Sequence, residues 1–380
     1  MKPIVGVHLA HHWLVGMRGG ELVLEQLCGL FPGAPLHTLV ANPGKLSEAL
    51  RRHPIRTSFL QRIGGVTRYK QMMPLFPLAV GAMRVSRDAQ FVLSSDAAVI
   101  KGIRIPDGVP HVCYCHSPPR YLWDQQETYA KQTSGLGGIG RLVFKAVVPY
   151  VRAFDQRAAR RVDHFIANSA FVAERIRRCY GREAAVIYPP VNVEAFVPDR
   201  KREDFYLIVS ELTPYKRVDL AIAAFNELKK PLVIIGDGPE MGKLKAMAGP
   251  TVQLLGRQPF DVLKDHYERC AAFLYPQVED FGITAVEAQA AGAPVIALRE
   301  GGATESVIDG VAGLFFGQQS PESLMEAVER FEALHGQFDP LASRANAERF
   351  RPERFRAEVR HFLVTKLPAL FTNHPWPEHN

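Results

Sequence analysis

The chain has 380 residues, 47% of them hydrophobic and 22% charged, with 30 Gly and 28 Pro; this fits about two folded domains and excludes a peptide, a disordered chain or a fibrous one. Charge is uneven, because residues 1–190 hold 25 Lys and Arg against 12 Asp and Glu, a net +13, while the remainder holds 21 against 27, a net −6. Such a basic half fits an anionic partner (a membrane surface, a phosphorylated acceptor or nucleic acid) and fits equally a solvated basic face with no partner.

In chain order, Ile4–His8 reads as a first strand and is too short an apolar stretch for a signal peptide, so the protein is expected in the cytoplasm. His8, His11 and His12 cluster with no carboxylate or thiol closer than Glu21, which argues against a metal site there. Short β-branched runs then alternate with helical periodicity, the pattern of βαβ units and parallel sheets. Strands are predicted at 36–40, 91–95, 112–116, 164–167 and 185–188, and helices at 21–30, 141–161 and 170–180. The apolar run from Leu142 to Val151 is interrupted by Lys145 and Pro149 and falls short of the roughly 20 residues of a membrane span. Gly135–Gly140 follows no strand and lacks dinucleotide spacing, so it reads as a loop before a helix. Cys113 and Cys115 share one strand face, and the five cysteines read as buried thiols without zinc spacing.

Tyr188-Pro189-Pro190-Val191-Asn192 ends the first series, since consecutive prolines stop a strand, and reads as a linker between domains 1–190 and 191–351. The second series has strands at 206–210, 232–236, 252–255, 272–275, 294–297 and 313–316, with helices at 218–228, 241–248, 259–270, 282–291 and 321–334. A last helix, about 352–380, is expected to pack back on the first domain. Two doubly wound α/β domains imply a cleft lined by strand carboxyl ends and helix amino ends.

Within 278–288, VEDFGITAVEA, a polar loop brings Glu279 and Asp280 to a helix that opens near Gly282 and carries Glu287. Helix amino ends offer N–H groups and partial positive charge to phosphate, and carboxylates accept hydrogen bonds from sugar hydroxyls. The same residues could instead only complement the helix dipole, with Glu287 solvated.

The spacing of Glu279 and Glu287 within EDFGITAVEAQAAGAPVIA, followed by Gly301-Gly302-Ala303-Thr304-Glu305, resembles the E-x7-E signature of family 4 retaining glycosyltransferases. SELTPYKRVDLAIAAF, IIGDGPE, LGRQP, MRGGE and YCHSPPRYLWD resemble further elements of that family, in family order and over nearly the whole chain; the finer likeness is to O-antigen mannosyltransferase-like members. The resemblance implies a GT-B fold, two Rossmann-like domains facing each other across a cleft, and retaining transfer of a hexose from a nucleotide-sugar. By position it implies that Glu287 holds the donor ribose, Glu279 the transferred sugar, and the backbone of Phe281, Gly282 and Ile283 the sugar and diphosphate. Lys216 would neutralise the leaving diphosphate, where negative charge develops. Gly19 and Gly20 would approach the phosphates, Gly236, Gly238 and Arg257 would flank the base, His116 would lie near the reacting carbon, and Arg120 on the acceptor side.

Glu211 stands where many relatives have an arginine, which leaves Lys216 alone or with Arg217, in a place where relatives often have glycine, to meet the diphosphate. Arg217 reads otherwise as a solvated residue at a helix start. No Asp-x-Asp pair occurs in the sequence, in keeping with a leaving group met by side chains and helix ends rather than by a divalent ion. Neither a cofactor besides the nucleotide-sugar substrate nor a nucleic-acid partner is expected. The stretch from Arg51 to Leu78 interleaves cations with large apolar groups and suits either an anionic membrane face with a lipid-linked acceptor or a covered core segment. A hexosyltransferase acting on a lipid-linked or polysaccharide acceptor, peripheral at the inner membrane face, is the leading expectation, with mannose from GDP-mannose the candidate donor. A nucleotide-sugar epimerase of the same fold and a noncatalytic nucleotide-sugar-binding subunit are the alternatives.

Overall fold

The computed structural model describes residues 6–127, 138–334 and 336–373. The chain divides into two compact units, Met1–Pro190 with Phe355–Asn380, and Val191–Arg354. Strands are numbered in chain order, as are α-helices of seven residues or more.

The first unit is built on a seven-stranded sheet, order β3-β2-β1-β4-β5-β6-β7, all strands parallel. Its strands are β1 (Val7–His11), β2 (Leu36–Thr38), β3 (Ile55–Thr57), β4 (Phe91–Asp96), β5 (His111–Cys115), β6 (His164–Ala167) and β7 (Ala184–Val186). Both faces are covered, as parallel sheets require. Leu9, Phe91, Leu93, Val112, Tyr114 and Ile166 enter one core cluster, while Ala10 and Val92 enter a second and Cys113, Cys115, Phe165 and Ala167 a third. All five cysteines are buried and unpaired. The helices of this unit are α1 (Gly19–Leu30), α2 (Phe76–Ala82), α3 (Gly138–Arg160) and α4 (Ala170–Tyr180). Ser169 starts α4 by accepting the Val172 N–H at 3.0 Å, and Gly181 ends it in the left-handed region. Among the described residues no helix is long and apolar enough to cross a membrane.

The first strand lies three residues later than the apolar pattern predicts, and Ile4 and Val5 fall outside the described residues. Two histidines occupy β1 because each has a buried partner there: His8 Nδ1 lies 3.0 Å from His37 Nε2, and His11 Nδ1 lies 3.1 Å from Ser95 Oγ. Of the glycine-rich segment, residues 135–137 are likewise outside the description, while 138–140 open α3.

The second unit has a six-stranded parallel sheet, order β10-β9-β8-β11-β12-β13. The strands are β8 (Tyr206–Val209), β9 (Leu232–Ile235), β10 (Val252–Gly256), β11 (Ala272–Tyr275), β12 (Val295–Leu298) and β13 (Gly313–Phe316). Its helices are α5 (Val218–Leu228), α6 (Met241–Met247), α7 (Phe260–Arg269), α8 (Ile283–Ala290), α9 (Pro321–Ala333) and α10 (Pro340–Ala347). Ile208, Leu232, Ile234, Leu274 and Ile296 pack with Leu220 and Phe225 of α5 and with Leu324 and Val328 of α9. A further helix, α11 (Pro352–Lys366), sends Phe355, Val359, Phe362 and Leu363 into the first unit's core, with the Phe355 ring 5.6 Å from that of Tyr114. Burying each such side chain stabilises the fold by roughly 1.5–3 kcal/mol.

One ion cluster lies wholly inside the first unit. Lys101 Nζ sits 3.2 Å from Asp96 Oδ2 and 2.5 Å from Asp155 Oδ1, all three side chains being about 1% exposed or less. Trp123 Nε1 and Tyr180 Oη donate to Asp155 Oδ2 at 3.0 and 2.8 Å. Burial opposes the ammonium charge, yet Asp155 and Asp96 together hold the Lys101 pKa above its ordinary value. The cluster thereby ties β4, α3, α4 and the loop around Trp123 into one body. Lys101→Met would leave the carboxylates without their cation, and a loss of about 3–5 kcal/mol is expected in urea unfolding.

Candidate active site

Both sheets carry the strand order of a doubly wound fold, whose connections leave in opposite directions on either side of β1 and β4 and of β8 and β11. At such a switch point the loops diverge and open a crevice at the strand carboxyl ends. The candidate residues come from loops at these ends.

In the second unit, β8 leads through 210–213 to a 3-10 turn, Pro214–Lys216, and Arg217 then enters the left-handed region at φ 51° and ψ 36° before α5 begins. A left-handed arginine costs on the order of 1 kcal/mol or more, a physical reason for glycine to suit this place. Its guanidinium is held: Nε donates to Asp219 Oδ1 at 3.3 Å and Nη1 to Gln319 Oε1 at 3.1 Å. Gln319 Nε2 in turn donates to the carbonyl of Pro276 at 2.9 Å, which straps the β8 loop to the β11 loop. Lys216 Nζ pairs with Glu279 Oε1 across the same gap, with the two side chains only 16% and 15% exposed. The Gly302 N–H donates to the Glu279 carbonyl at 2.9 Å and fixes the backbone there.

Gly282 takes φ 96°, and a Cβ placed on it would stand 2.6 Å from Tyr275 Oη, so only glycine can begin α8 here. The first turn of α8 then carries the N–H groups and partial positive charge of a helix amino end. Phe281 is buried against Phe350, ring centroids 5.2 Å apart. Glu287, further along α8, accepts a hydrogen bond from the wholly buried Tyr267 Oη at 3.1 Å. Burial raises its pKa to about 7 despite that donor. Glu287 is therefore not a solvated surface carboxylate.

Gly236, after β9, takes φ 148°, and a Cβ there would fall 1.8 Å from the Ser210 carbonyl oxygen. The Gly238 N–H donates to Asp237 Oδ1 at 2.8 Å, and the Leu212 N–H donates to the Asp237 carbonyl at 2.9 Å. Arg257 is exposed just after β10, and Glu211 is exposed on the β8 loop. Lys216 and Glu279 thus touch, Glu287 lies one hydrogen bond from α7, and Gly236, Gly238 and Arg257 come from neighbouring strand ends.

In the first unit, His11 ends β1 and Gly19 and Gly20 open α1, where Glu21 Oε2 accepts the Arg18 N–H at 3.1 Å. A Cβ on Gly20 would lie 3.6–3.8 Å from the rings of His11, His12 and His116, so this helix start rests on a three-histidine cluster. Ser95, on β4, joins them: its Oγ is 2.8 Å from His116 Nε2 and 3.1 Å from His11 Nδ1, and its carbonyl accepts from His12 Nδ1 at 3.4 Å. Burial takes the His11 pKa well below its ordinary value and that of His12 to about 4. Arg120 lies on the loop after β5, its carbonyl accepting the N–H groups of Asp124 and Gln125. Arg175 anchors that loop by donating to Ser117 Oγ at 2.8 Å and pairing with Asp124 at 2.7 Å. Among the described residues no three His, Cys, Asp or Glu side chains are grouped as metal ligands.

Sequence reasoning singles out neither Tyr267, Tyr275, Gln319 nor Ser95. Tyr267, Gln319 and Ser95 act on residues 20 or more positions away and Tyr275 on Gly282 seven residues on, and no local pattern marks them.

Two Rossmann-like parallel-sheet units make up the GT-B architecture, and solved structures share it. HepE of Anabaena in complex with UDP superposes with a TM-score of 0.68 at 16% identity, covering 94% of this chain and 100% of that one. Sucrose-phosphate synthase of Thermosynechococcus elongatus gives 0.69 at 16% identity, over 95% and 100%. The model "Glycosyltransferase Family 4" matches residues 37–195, and "Glycosyl transferases group 1" matches residues 193–348. The two glycosyltransferase models thus follow each other along the chain, one on each parallel-sheet unit, and together run from residue 37 to 348.

Curated relatives include an uncharacterized glycosyltransferase of Methanocaldococcus jannaschii, 32% identical over 47% of this chain and 52% of its own. A GDP-mannose-dependent alpha-(1-6)-phosphatidylinositol monomannoside mannosyltransferase of Mycolicibacterium smegmatis is 29% identical, over 50% and 58%. A D-inositol 3-phosphate glycosyltransferase of Nocardiopsis dassonvillei is 30% identical, over 47% and 50%. The chain spans about half the length of these relatives.

The raised Glu287 pKa carries a sign. Between about pH 4.5 and 7 the folded chain keeps a proton that the unfolded chain has released, so this group's contribution is most favourable below pH 4.5 and is lost as pH rises through about 7. Glu287→Gln removes the titration while leaving an acceptor for Tyr267. Relative to wild type, it should gain on the order of 2 kcal/mol at pH 8 and nothing at pH 4.5, read as urea midpoints across that range.

Proposed function

We propose that the chain is a retaining hexosyltransferase that moves mannose from GDP-mannose onto a lipid-linked or polysaccharide acceptor. The observation that carries this is the Lys216–Glu279 pair beside the amino end of α8. A nucleoside diphosphate entering there meets a cation and a helix dipole suited to its charge, and displaces Glu279 toward the sugar hydroxyls. Glu287 is then the acceptor for ribose hydroxyls, the turn at Gly236 and Gly238 with Arg257 flanks the base, and Gly19 and Gly20 approach the phosphates. Arg217 adds charge at the rim, His116 attends the reacting carbon, and Arg120 faces the acceptor.

In the transfer, the bond from the anomeric carbon to the diphosphate oxygen breaks as the acceptor oxygen bonds to that carbon on the same face. The acceptor's proton passes to the departing phosphate oxygen. Lys216 acts where charge grows, on the leaving diphosphate, so its effect falls on the transition state more than on the bound donor. The GDP-mannose dependence of the Mycolicibacterium relative supports this donor, whereas the UDP bound to HepE supports a uridine sugar.

Thermal shifts against GDP-, UDP- and ADP-sugars decide the base, because a bound donor raises Tm by mass action. GDP-mannose is expected to raise Tm, and Lys216→Ala to lower turnover roughly 10²–10³-fold with little change in the unliganded Tm. Turnover left intact in that variant, or a donor shift with no transfer to any acceptor, would count against the enzyme reading, the latter in favour of a binding subunit.

The acceptor side rests on the 51–78 stretch. Tyr69, Phe76, Pro77, Ala79 and Val80 are buried, but Phe59, Ile63 and Leu78 are 40%, 61% and 59% exposed among exposed Arg62, Arg68 and Lys70. That mixture supports peripheral contact with an anionic bilayer. Co-sedimentation with phosphatidylglycerol vesicles is expected at low salt and should fade as ionic strength rises; no sedimentation at low salt would remove the membrane from the proposal.

A further inference from the structure

Two of the three histidines beneath Gly20, His11 and His116, are joined through one hydroxyl, and a hydroxyl has one proton to give. Ser95 Oγ lies 3.1 Å from His11 Nδ1 and 2.8 Å from His116 Nε2; were both rings to donate to it, its own O–H, on a residue with no exposed surface, would lose both ring acceptors, so it accepts from one ring and donates to the other. Two directions are possible. If His116 donates from Nε2, Ser95 donates to His11 Nδ1 and the single His11 proton must sit on Nε2. That nitrogen is buried, in a residue with no exposed surface, and has no hydrogen-bond partner. An orphaned buried N–H is rarer and less tolerable than an orphaned lone pair. The other direction leaves only a lone pair at His11 Nε2: His11 Nδ1–H donates to Ser95, and Ser95 donates to His116 Nε2.

From this geometry we infer that Ser95, oriented by His11, is a positioning residue that locks His116 with its Nε2 lone pair occupied and its proton on Nδ1. His12 braces the same serine from the backbone side, since its Nδ1–H donates to the Ser95 carbonyl. The His11 and His12 ring centroids lie 4.0 Å apart, so the two rings pack against each other beside this serine. His116 is thereby presented as a fixed hydrogen-bond donor at one ring nitrogen instead of a tumbling acid or base. Its consequence for catalysis rests on the transferase reading above, but the tautomer itself does not.

The test separates the two. In protein labelled with 15N-histidine, with the His116 signals identified by their loss in His116→Gln, two-bond 1H–15N spectra should show the His116 proton on Nδ1. Ser95→Ala should release it to a mixture or to Nε2–H, while Ser95→Thr and His11→Asn, whose amide N–H replaces Nδ1–H, should keep it. In the transfer assay Ser95→Ala should lower kcat about tenfold with the donor KM within roughly twofold, and Ser95→Thr should restore most of it. A wild-type His116 protonated on Nε2, or a tautomer unmoved by Ser95→Ala, overturns the wiring, and the wild-type spectrum alone decides this should Ser95→Ala fail to fold. A shifted tautomer with unchanged kcat overturns the positioning role. A wild type that transfers no sugar overturns the transferase reading, and the spectra still decide the wiring.

Discussion

The reversal of chain direction at the centre of each sheet is the constraint from which the rest follows. In the first unit β1 pairs with β2 on one side and β4 on the other, and in the second β8 pairs with β9 and β11. Connections on the two sides therefore leave in opposite directions, and backbone at the carboxyl ends of the two central strands is left without a crossing helix. Polar side chains collect there: Ser95 and His11 on β4 and β1, Lys216 and Glu279 after β8 and β11. Apolar packing on both faces of each sheet fixes the strand ends, so these groups are placed by a scaffold whose own residues do no chemistry.

The second unit holds its loops by means that tolerate few substitutions. Gly282 is required twice, by a positive φ and by the Tyr275 hydroxyl where a Cβ would be. Arg217 occupies the left-handed region without being glycine, and its guanidinium contacts to Asp219 and Gln319 offset part of that strain. The Lys216–Glu279 pair is mostly sheltered from water, where an ion pair gains Coulomb energy but loses hydration on both sides. A pair so balanced is easily exchanged for another: under the proposed function an incoming diphosphate would take over the ammonium at small net cost, whereas an unpaired buried cation would carry its desolvation cost whenever the site is empty.

The fold was legible in the sequence where burial is two-sided. Strands such as Ala272–Tyr275 and Gly313–Phe316, with all residues buried, read as continuous apolar runs, and the helices at 170–180 and 218–228 carry a clear period. The edge strand Ile55–Thr57 is three residues long with Arg56 and Thr57 exposed, so it has no apolar pattern to find. Residues 69–75 form a 3-10 helix around Pro74, which propensity does not single out. At the site, Lys216, Glu279 and Glu287 sit in contiguous motifs. Their supports do not: Tyr267 is 20 residues from Glu287, Ser95 is 84 from His11, and Gln319 is 102 from Arg217. Such partners are fixed by topology, and only the folded chain brings them together.

The charge asymmetry acquires a different meaning once the histidines are placed. Burial lowers the pKa of His8, His11, His12, His37 and His111, so the polar interior of the first unit is neutral imidazole near pH 7. Its buried Lys101 faces two aspartates and adds no net positive charge. Much of the excess of +13 resides in exposed side chains, among them Arg51, Arg52, Arg62, Arg68, Lys70, Arg84, Arg87 and Arg104. Exposed charges act over about a Debye length and are screened by salt, while hydrogen bonds around buried neutral rings are not. The basic surface is therefore suited to drawing anionic molecules toward the unit in a salt-dependent way, whereas the hydrogen bonds of the buried histidines hold at any ionic strength.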